Sequence, residues 1–190
     1  MLAGAIWAIV VTAGMSALWA YASRPGPGGQ PPNRWPDGSR IARRPDRATL
    51  VMLVHPHCPC SRASVGELAS LVARLQDRLS AHVLLLQPAG LPDDWTQTDL
   101  WESASAIPGV ETVHDPDGTE ARRFGAATSG QVILYDAAGR LRFNGGITPA
   151  RGHSGDNAGR DAILALLTGS GEHWSETAVF GCALFDAEPS

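Results

Sequence analysis

Two cysteines separated by a single proline, Cys58-Pro59-Cys60, stand where an apolar strand-length run gives way to a helical pattern. Residues 49–55 (TLVMLVH) are short, apolar and rich in branched side chains, as a buried strand requires. Beyond Cys60 the period changes. Val65, Leu68, Val72, Leu75 and Leu79 recur at steps of three and four, with Glu67, Arg74, Asp77 and Arg78 between them, which predicts an amphipathic helix. A thiol at such a junction lies near unpaired helix N–H groups and the positive end of the helix dipole, which favours the thiolate. The thiolate attacks disulfides and binds metals, so redox chemistry is the leading expectation.

The rest of the chain narrows the choice. The 190 residues carry a net charge of −4, which gives no electrostatic support for a nucleic-acid partner. Three cysteines cannot build a disulfide scaffold, and pairing Cys58 with Cys60 leaves Cys182 over. Residues 2–22 contain no charged side chain and are long enough for one helical membrane span. Trp19 and Tyr21 would mark an interface. Ala20-Tyr21-Ala22 also has the small-x-small form of a signal-cleavage site, but no basic residue precedes the apolar run. A retained anchor is therefore the preferred reading over a cleaved signal. The expected location is a single pass through the inner (cytoplasmic) membrane with the domain in the periplasm. Against that orientation, Arg24, Arg34, Arg40, Arg43 and Arg44 all follow the span, and the positive-inside rule would keep them in the cytoplasm.

Residues 23–47 are rich in proline, glycine and arginine and read as an extended linker, with Trp35 able to dock on the domain. The domain itself is expected over residues 48–185. Predicted strands cover 81–87 and 110–114, and 131–136 with 140–144 form an antiparallel hairpin. Predicted helices cover 99–106, 119–124 and 160–167, the last capped by Asp156 or Asn157. This order gives an α/β mixed sheet with flanking helices.

With the cysteine pair after the first long strand, residues 48–168 resemble the thioredoxin-like fold. Residues 115–125 (DPDGTEARRFG) and 132–140 (VILYDAAGR) are similar to the second half of membrane-anchored, TlpA-like bacterial thioredoxins. Residues 55–64 (HPHCPCSRAS), with 145–148 (GGIT) and 151–157 (RGHSGDN), resemble the RedB-type subgroup with its Cys-Pro-Cys motif. The resemblance implies a thiol–disulfide oxidoreductase, with Cys58 and Cys60 as catalytic residues and a protein dithiol or disulfide as partner.

The chain departs from that family in two places. Thioredoxin relatives usually place two residues between their cysteines, whereas here only Pro59 intervenes, so a Cys58–Cys60 disulfide should be strained and easily reduced. Either Cys58 matches the family's nucleophile, or Cys60 matches its proline-linked cysteine and Cys58 is displaced into the loop. Cys58 is preferred as nucleophile because it precedes the helix and should lie further out. The second departure is Gly130, which fills the slot of the family's cis-proline in the loop 128–131. A trans peptide is expected there, in a loop with Ser129 that still borders the cysteines.

Other residues have two readings. His55 and His57 could tune the thiols or, with Cys58 and Cys60, bind Zn²⁺ or Cu(I), which would make the chain a copper- or zinc-binding, metallochaperone-like module. His55 could equally be a hydrogen-bonded strand-end residue. Cys182 is either a small buried hydrophobe or a third redox sulfur placed near Cys58. In the latter case a thiol peroxidase, with Cys58 peroxidatic and Cys182 resolving, is conceivable. Its expected threonine, however, is replaced by His55. Residues 151–157 form a turn and helix cap, or a wall of the site with Arg151 or His153 facing a partner. Arg62 would add positive potential or simply be solvated. No cofactor is expected on the redox reading.

Overall fold

The computed structural model describes residues 2–75, 77–170 and 174–185. Its sheet has five strands: β1 (Ala48–Val54), β2 (Leu79–Gln87), β3 (Val110–Pro116), β4 (Gln131–Tyr135) and β5 (Leu141–Gly145). Their order is β3-β2-β1-β4-β5. β1, β2 and β3 run parallel, while β4 is antiparallel to β1 and to β5. Parallel neighbours need crossover connections. Helix α2 (Ser61–Leu75) supplies the first, and helix α3 (Asp99–Ser105) the second. Helix α4 (Thr119–Arg123) follows β3, and helix α5 (Ala158–Thr168) closes the fold. This is the expected thioredoxin-like mixed sheet with flanking helices.

All seven residues of β1 are buried, as a central strand covered on both faces requires. Leu50, Met52 and Val54 point into a core shared with Val65, Leu68, Leu71 and Val72 of α2 and Ile163 of α5. Val51 and Leu53 face the other way, onto Phe124, Ile133, Tyr135 and Leu184. Each large apolar side chain buried here contributes about 1.5–3 kcal/mol. Local chemistry sets the helix ends. Asn157, rather than Asp156, caps α5 by accepting from Arg160 N, and Thr98 does the same for α3 through Trp101 N.

Leu79 belongs to β2 rather than to the helix that its spacing predicts. Arg78 N donates to Leu75 O at 2.7 Å, closing the end of α2, and Leu79 then pairs in register with Ala48. The segment expected to be a linker has little regular structure, yet it lies against the domain. Leu141 N donates to Asn33 O, Trp35 N donates to Gly139 O, and Tyr135 Oη donates to Pro32 O. Trp35 sets its ring edge-on to Phe124 and Tyr135 at centroid distances of 5.1 and 5.3 Å, and Ile41 is buried. The second core thus takes part of its cover from residues 35–41, because an aromatic and a branched side chain in a polar stretch are enough to anchor it.

Helix α1 (Leu2–Ala22) has no charged side chain and none of its residues is buried. It is long and apolar enough to cross a membrane.

Candidate functional site

β1 ends at Val54, and the chain then winds through two tight turns into α2. Cys58 N donates to His55 O at 2.9 Å, and Ser61 N donates to Cys58 O at 3.1 Å. These turns place Cys58 against the first turn of α2. The loop before β4 closes over the same spot. His55 N donates to Ser129 Oγ at 2.8 Å, and the Ser129 and Ser61 hydroxyls lie 2.7 Å apart. Gly130 N donates to Leu53 O at 2.7 Å. Its φ is +87°, and a Cβ there would stand 2.8 Å from Ser64 Oγ, so the close approach to α2 calls for glycine. The peptide is trans, since no cis bond occurs among the described residues.

A third segment completes the site. Ser129 N donates to Cys182 O at 2.8 Å and Leu184 N donates to Ala127 O at 2.9 Å, with an antiparallel bridge between Thr128 and Ala183. Leu184 is buried in the second core and fixes this C-terminal strap. The result is a contact of 3.2 Å between Cys58 Sγ and Cys182 Sγ. Cys58 does not lie further out than Cys60. The strap covers it, leaving Cys58 1% exposed and Cys60 7%, while Cys182 is partly exposed.

The three thiols differ electrostatically. Burial alone would push the Cys58 thiol up. Hydrogen bonds to its sulfur outweigh that, from the Ser61 hydroxyl first, then from the Cys182 backbone and thiol and the Cys60 backbone, and bring it down to about 7. Burial pushes Cys60 up, helped by the charge on Cys58 and opposed by Arg151. Burial and the hydrogen bond to Cys58 raise Cys182 to about 12. Cys58 is therefore the most acidic thiol of the three. Replacing Ser61 with alanine removes the leading donor. A hydrogen bond to a charged group is worth about 1.5–3 kcal/mol, so the Cys58 titration should rise by at least about one unit. The pH profile of its reaction with a small aromatic disulfide measures this, and an unchanged profile would refute the role of Ser61.

Both histidines lie beside Trp95. His57 Nε2 donates to Trp95 O at 3.0 Å, and its ring lies 4.7 Å from that of Trp95. His57 N donates to His55 Nδ1 at 3.2 Å, and the His55 ring meets Trp95 edge-on at 5.5 Å. Among the described residues no group of three or more His, Cys, Asp or Glu side chains is placed to hold a metal ion, so His55, His57, Cys58 and Cys60 do not form the alternative ligand set. His153 is exposed, with Nδ1 donating to Arg151 O at 2.7 Å. Arg151 is the residue of that loop which turns inward. It donates from Nη1 to Gly181 O at 2.6 Å and from Nε to Arg24 O at 2.9 Å, and it hydrogen-bonds Cys60. Arg62 pairs with Asp99 on the surface. Ser61 and Trp95 are site residues that the sequence reading missed. Ser61, three residues after Cys58 at a helix start, was there to be seen, whereas Trp95 reaches the site only through the loop after β2.

No family model matches this chain, and no curated protein matches it. Solved structures do. A hypothetical protein from Sinorhizobium meliloti 1021 is 20% identical, with 85% of this chain and 93% of that one covered and a TM-score of 0.61. An uncharacterized conserved protein from Geobacillus kaustophilus is 18% identical over 88% and 95%, with a TM-score of 0.58. A secreted disulfide oxidoreductase from Mycobacterium tuberculosis is 13% identical over 66% and 83%, with a TM-score of 0.47. The first two likenesses, at this identity, concern the fold.

Proposed function

We propose that this chain is a membrane-tethered thiol–disulfide oxidoreductase in which Cys58 is the nucleophile and Cys60 resolves the mixed disulfide. The observation that carries the reading is the Cys58 sulfur itself, stabilised as a thiolate at the β1–α2 junction and in contact with a second sulfur. The Cys58 thiolate attacks one sulfur of a partner disulfide, and the other partner sulfur leaves and takes a proton. Cys60, once deprotonated, attacks Cys58 Sγ, and the partner's remaining sulfur leaves as the second thiol. Two electrons pass from the cysteine pair to the partner, and the reverse sequence oxidises a partner dithiol. Helix α1 serves as the tether. Its last residue meets the site, because Arg151 N donates to Ala22 O at 3.0 Å, so the partner is met close to the membrane surface.

The test is a redox titration of the full-length, detergent-solubilised protein against glutathione buffers, with bound metal measured on the same sample. A two-electron couple that is lost in Cys58→Ser and shifted in potential in Cys60→Ser, with no metal, is the expected result. Stoichiometric copper or zinc without disulfide turnover would overturn it. Rapid peroxide consumption that depends on Cys182 would point to the peroxidase chemistry instead.

A further inference from the structure

Resting on that reading, we propose that Cys182 is the surface port of a three-sulfur relay, forming a disulfide with Cys58 and receiving the attack of a reducing partner's thiolate. Three observations carry this. The two sulfurs are in contact at 3.2 Å although 124 residues separate them in sequence, so the fold, not the chain, brings them together. Exposure is inverted relative to a simple active-site pair, since Cys58 and Cys60 are buried whereas Cys182 is partly exposed. The strap is also held by specific bonds. Cys182 O and Ala127 O accept from Ser129 N and Leu184 N, and Gly181 O accepts from Arg151, which also touches Cys60.

The exchange balances without an outside oxidant. In the molecule with a Cys58–Cys60 disulfide, the Cys182 thiolate attacks Cys58 Sγ. The Cys58–Cys60 bond breaks, a Cys58–Cys182 bond forms, and Cys60 leaves and takes up the proton that Cys182 released. A reducing partner dithiol then attacks Cys182 Sγ, with Cys58 as leaving group. Its second thiol resolves the mixed disulfide, so two electrons and two protons leave the partner, which becomes a disulfide. A low-pKa thiol is the better leaving group, so attack on a Cys58–Cys182 bond is directed to Cys182, which belongs to the less buried of the two residues. The relay removes the need for a protein partner to reach the covered Cys58 directly.

The test oxidises the full-length protein in detergent with oxidised glutathione, blocks free thiols, and maps disulfide-linked peptides by mass. The expected result is a Cys58–Cys182 linkage in wild type and in Cys60→Ser. Reduction of the oxidised protein by dithiothreitol should be at least about tenfold slower in Cys182→Ser, whose remaining Cys58–Cys60 bond is buried. A Cys182 thiol that is free in every oxidised sample, or reduction kinetics unchanged in Cys182→Ser, would overturn the relay. In that event a mapped, reducible Cys58–Cys60 bond leaves the oxidoreductase reading standing. If no disulfide forms at Cys58 at all, both fail. Cys60→Ser keeps the test independent of the fold of the Cys182 variant.

Discussion

Replacing Cys58 with serine will reduce disulfide turnover to the uncatalysed background, a loss of at least about 100-fold at pH 7. Two arguments converge on this. The first is thiolate supply. Cys58 titrates at about 7, so near neutral pH roughly half of it is ionised. Cys60 is held above its ordinary value, mainly by burial, which persists in the variant, so well under a tenth of it is ionised at pH 7. Greater intrinsic nucleophilicity of a more basic thiolate recovers only part of that deficit. The second argument is geometric. Cys58 hydrogen-bonds both other cysteines, and its loss leaves each remaining thiol without its redox partner. A thiol without a resolving partner stops at the mixed disulfide after one turnover. The wild-type rate should rise with pH through about 7 and level off above it, because deprotonation creates the attacking species. An insulin-type disulfide reduction assay across pH checks both. A Cys58→Ser variant that keeps more than a tenth of the turnover would assign the nucleophile to another sulfur.

Much of the site was legible because its core is local. A change from strand spacing to helical spacing around Cys58-Pro59-Cys60 is visible within twenty-odd residues, and β1 and α2 stand where it places them. The glycine opposite the cysteines could also be located, because Gly130 keeps a fixed distance from Phe124 and from β4. The parts that were not legible are long-range. Nothing near Cys182 in the chain says that Ala127 to Ser129 will pair with it, since a bridge of three residues has no periodicity to read. Trp95 is out of reach for a related reason: it comes from the loop after β2, and only the fold brings its carbonyl to the His57 ring. In residues 23–47 the docking of Trp35 is legible as a lone aromatic in a polar stretch, whereas composition averages away Ile41, which is buried beside the same core. Leu79 continued a helical spacing by coincidence, and a backbone bond at Leu75 decided the matter.

Substituting Arg160 with leucine should cost about 3 kcal/mol of stability, because it strands a buried carboxylate beneath the loop that carries Arg151. Glu67 projects from α2 and is only 4% exposed. Its Oε2 accepts from Arg160 Nη1 at 2.8 Å, and its Oε1 accepts from Gly155 N at 2.8 Å. Breaking a buried ion pair by removing one partner typically costs about 3–5 kcal/mol, because the remaining charge keeps its desolvation penalty. The Gly155 N–H still serves Glu67 in the variant, which argues for the lower end. At about 2–4 °C per kcal/mol for a chain of this size, the thermal midpoint should fall by roughly 6–12 °C. The double variant Glu67→Leu with Arg160→Leu should recover most of that loss, since it removes the orphaned charge as well as its partner. Arg160 N also donates to the cap residue Asn157, but that bond is backbone and survives the substitution. Thermal and urea unfolding of the two variants therefore separates a charge effect from a packing effect. A single variant within about 1 kcal/mol of wild type, or a double variant no better than the single, would show that the pair does not secure this loop. If the pair does secure it, Arg151 is held on Gly181 O and beside Cys60 by an anchor on the same helix that begins at the cysteines. Loosening that anchor in the single variant should then speed alkylation of Cys58 under native conditions, because the strap loses a clamp while β1 and the start of α2 stay in place.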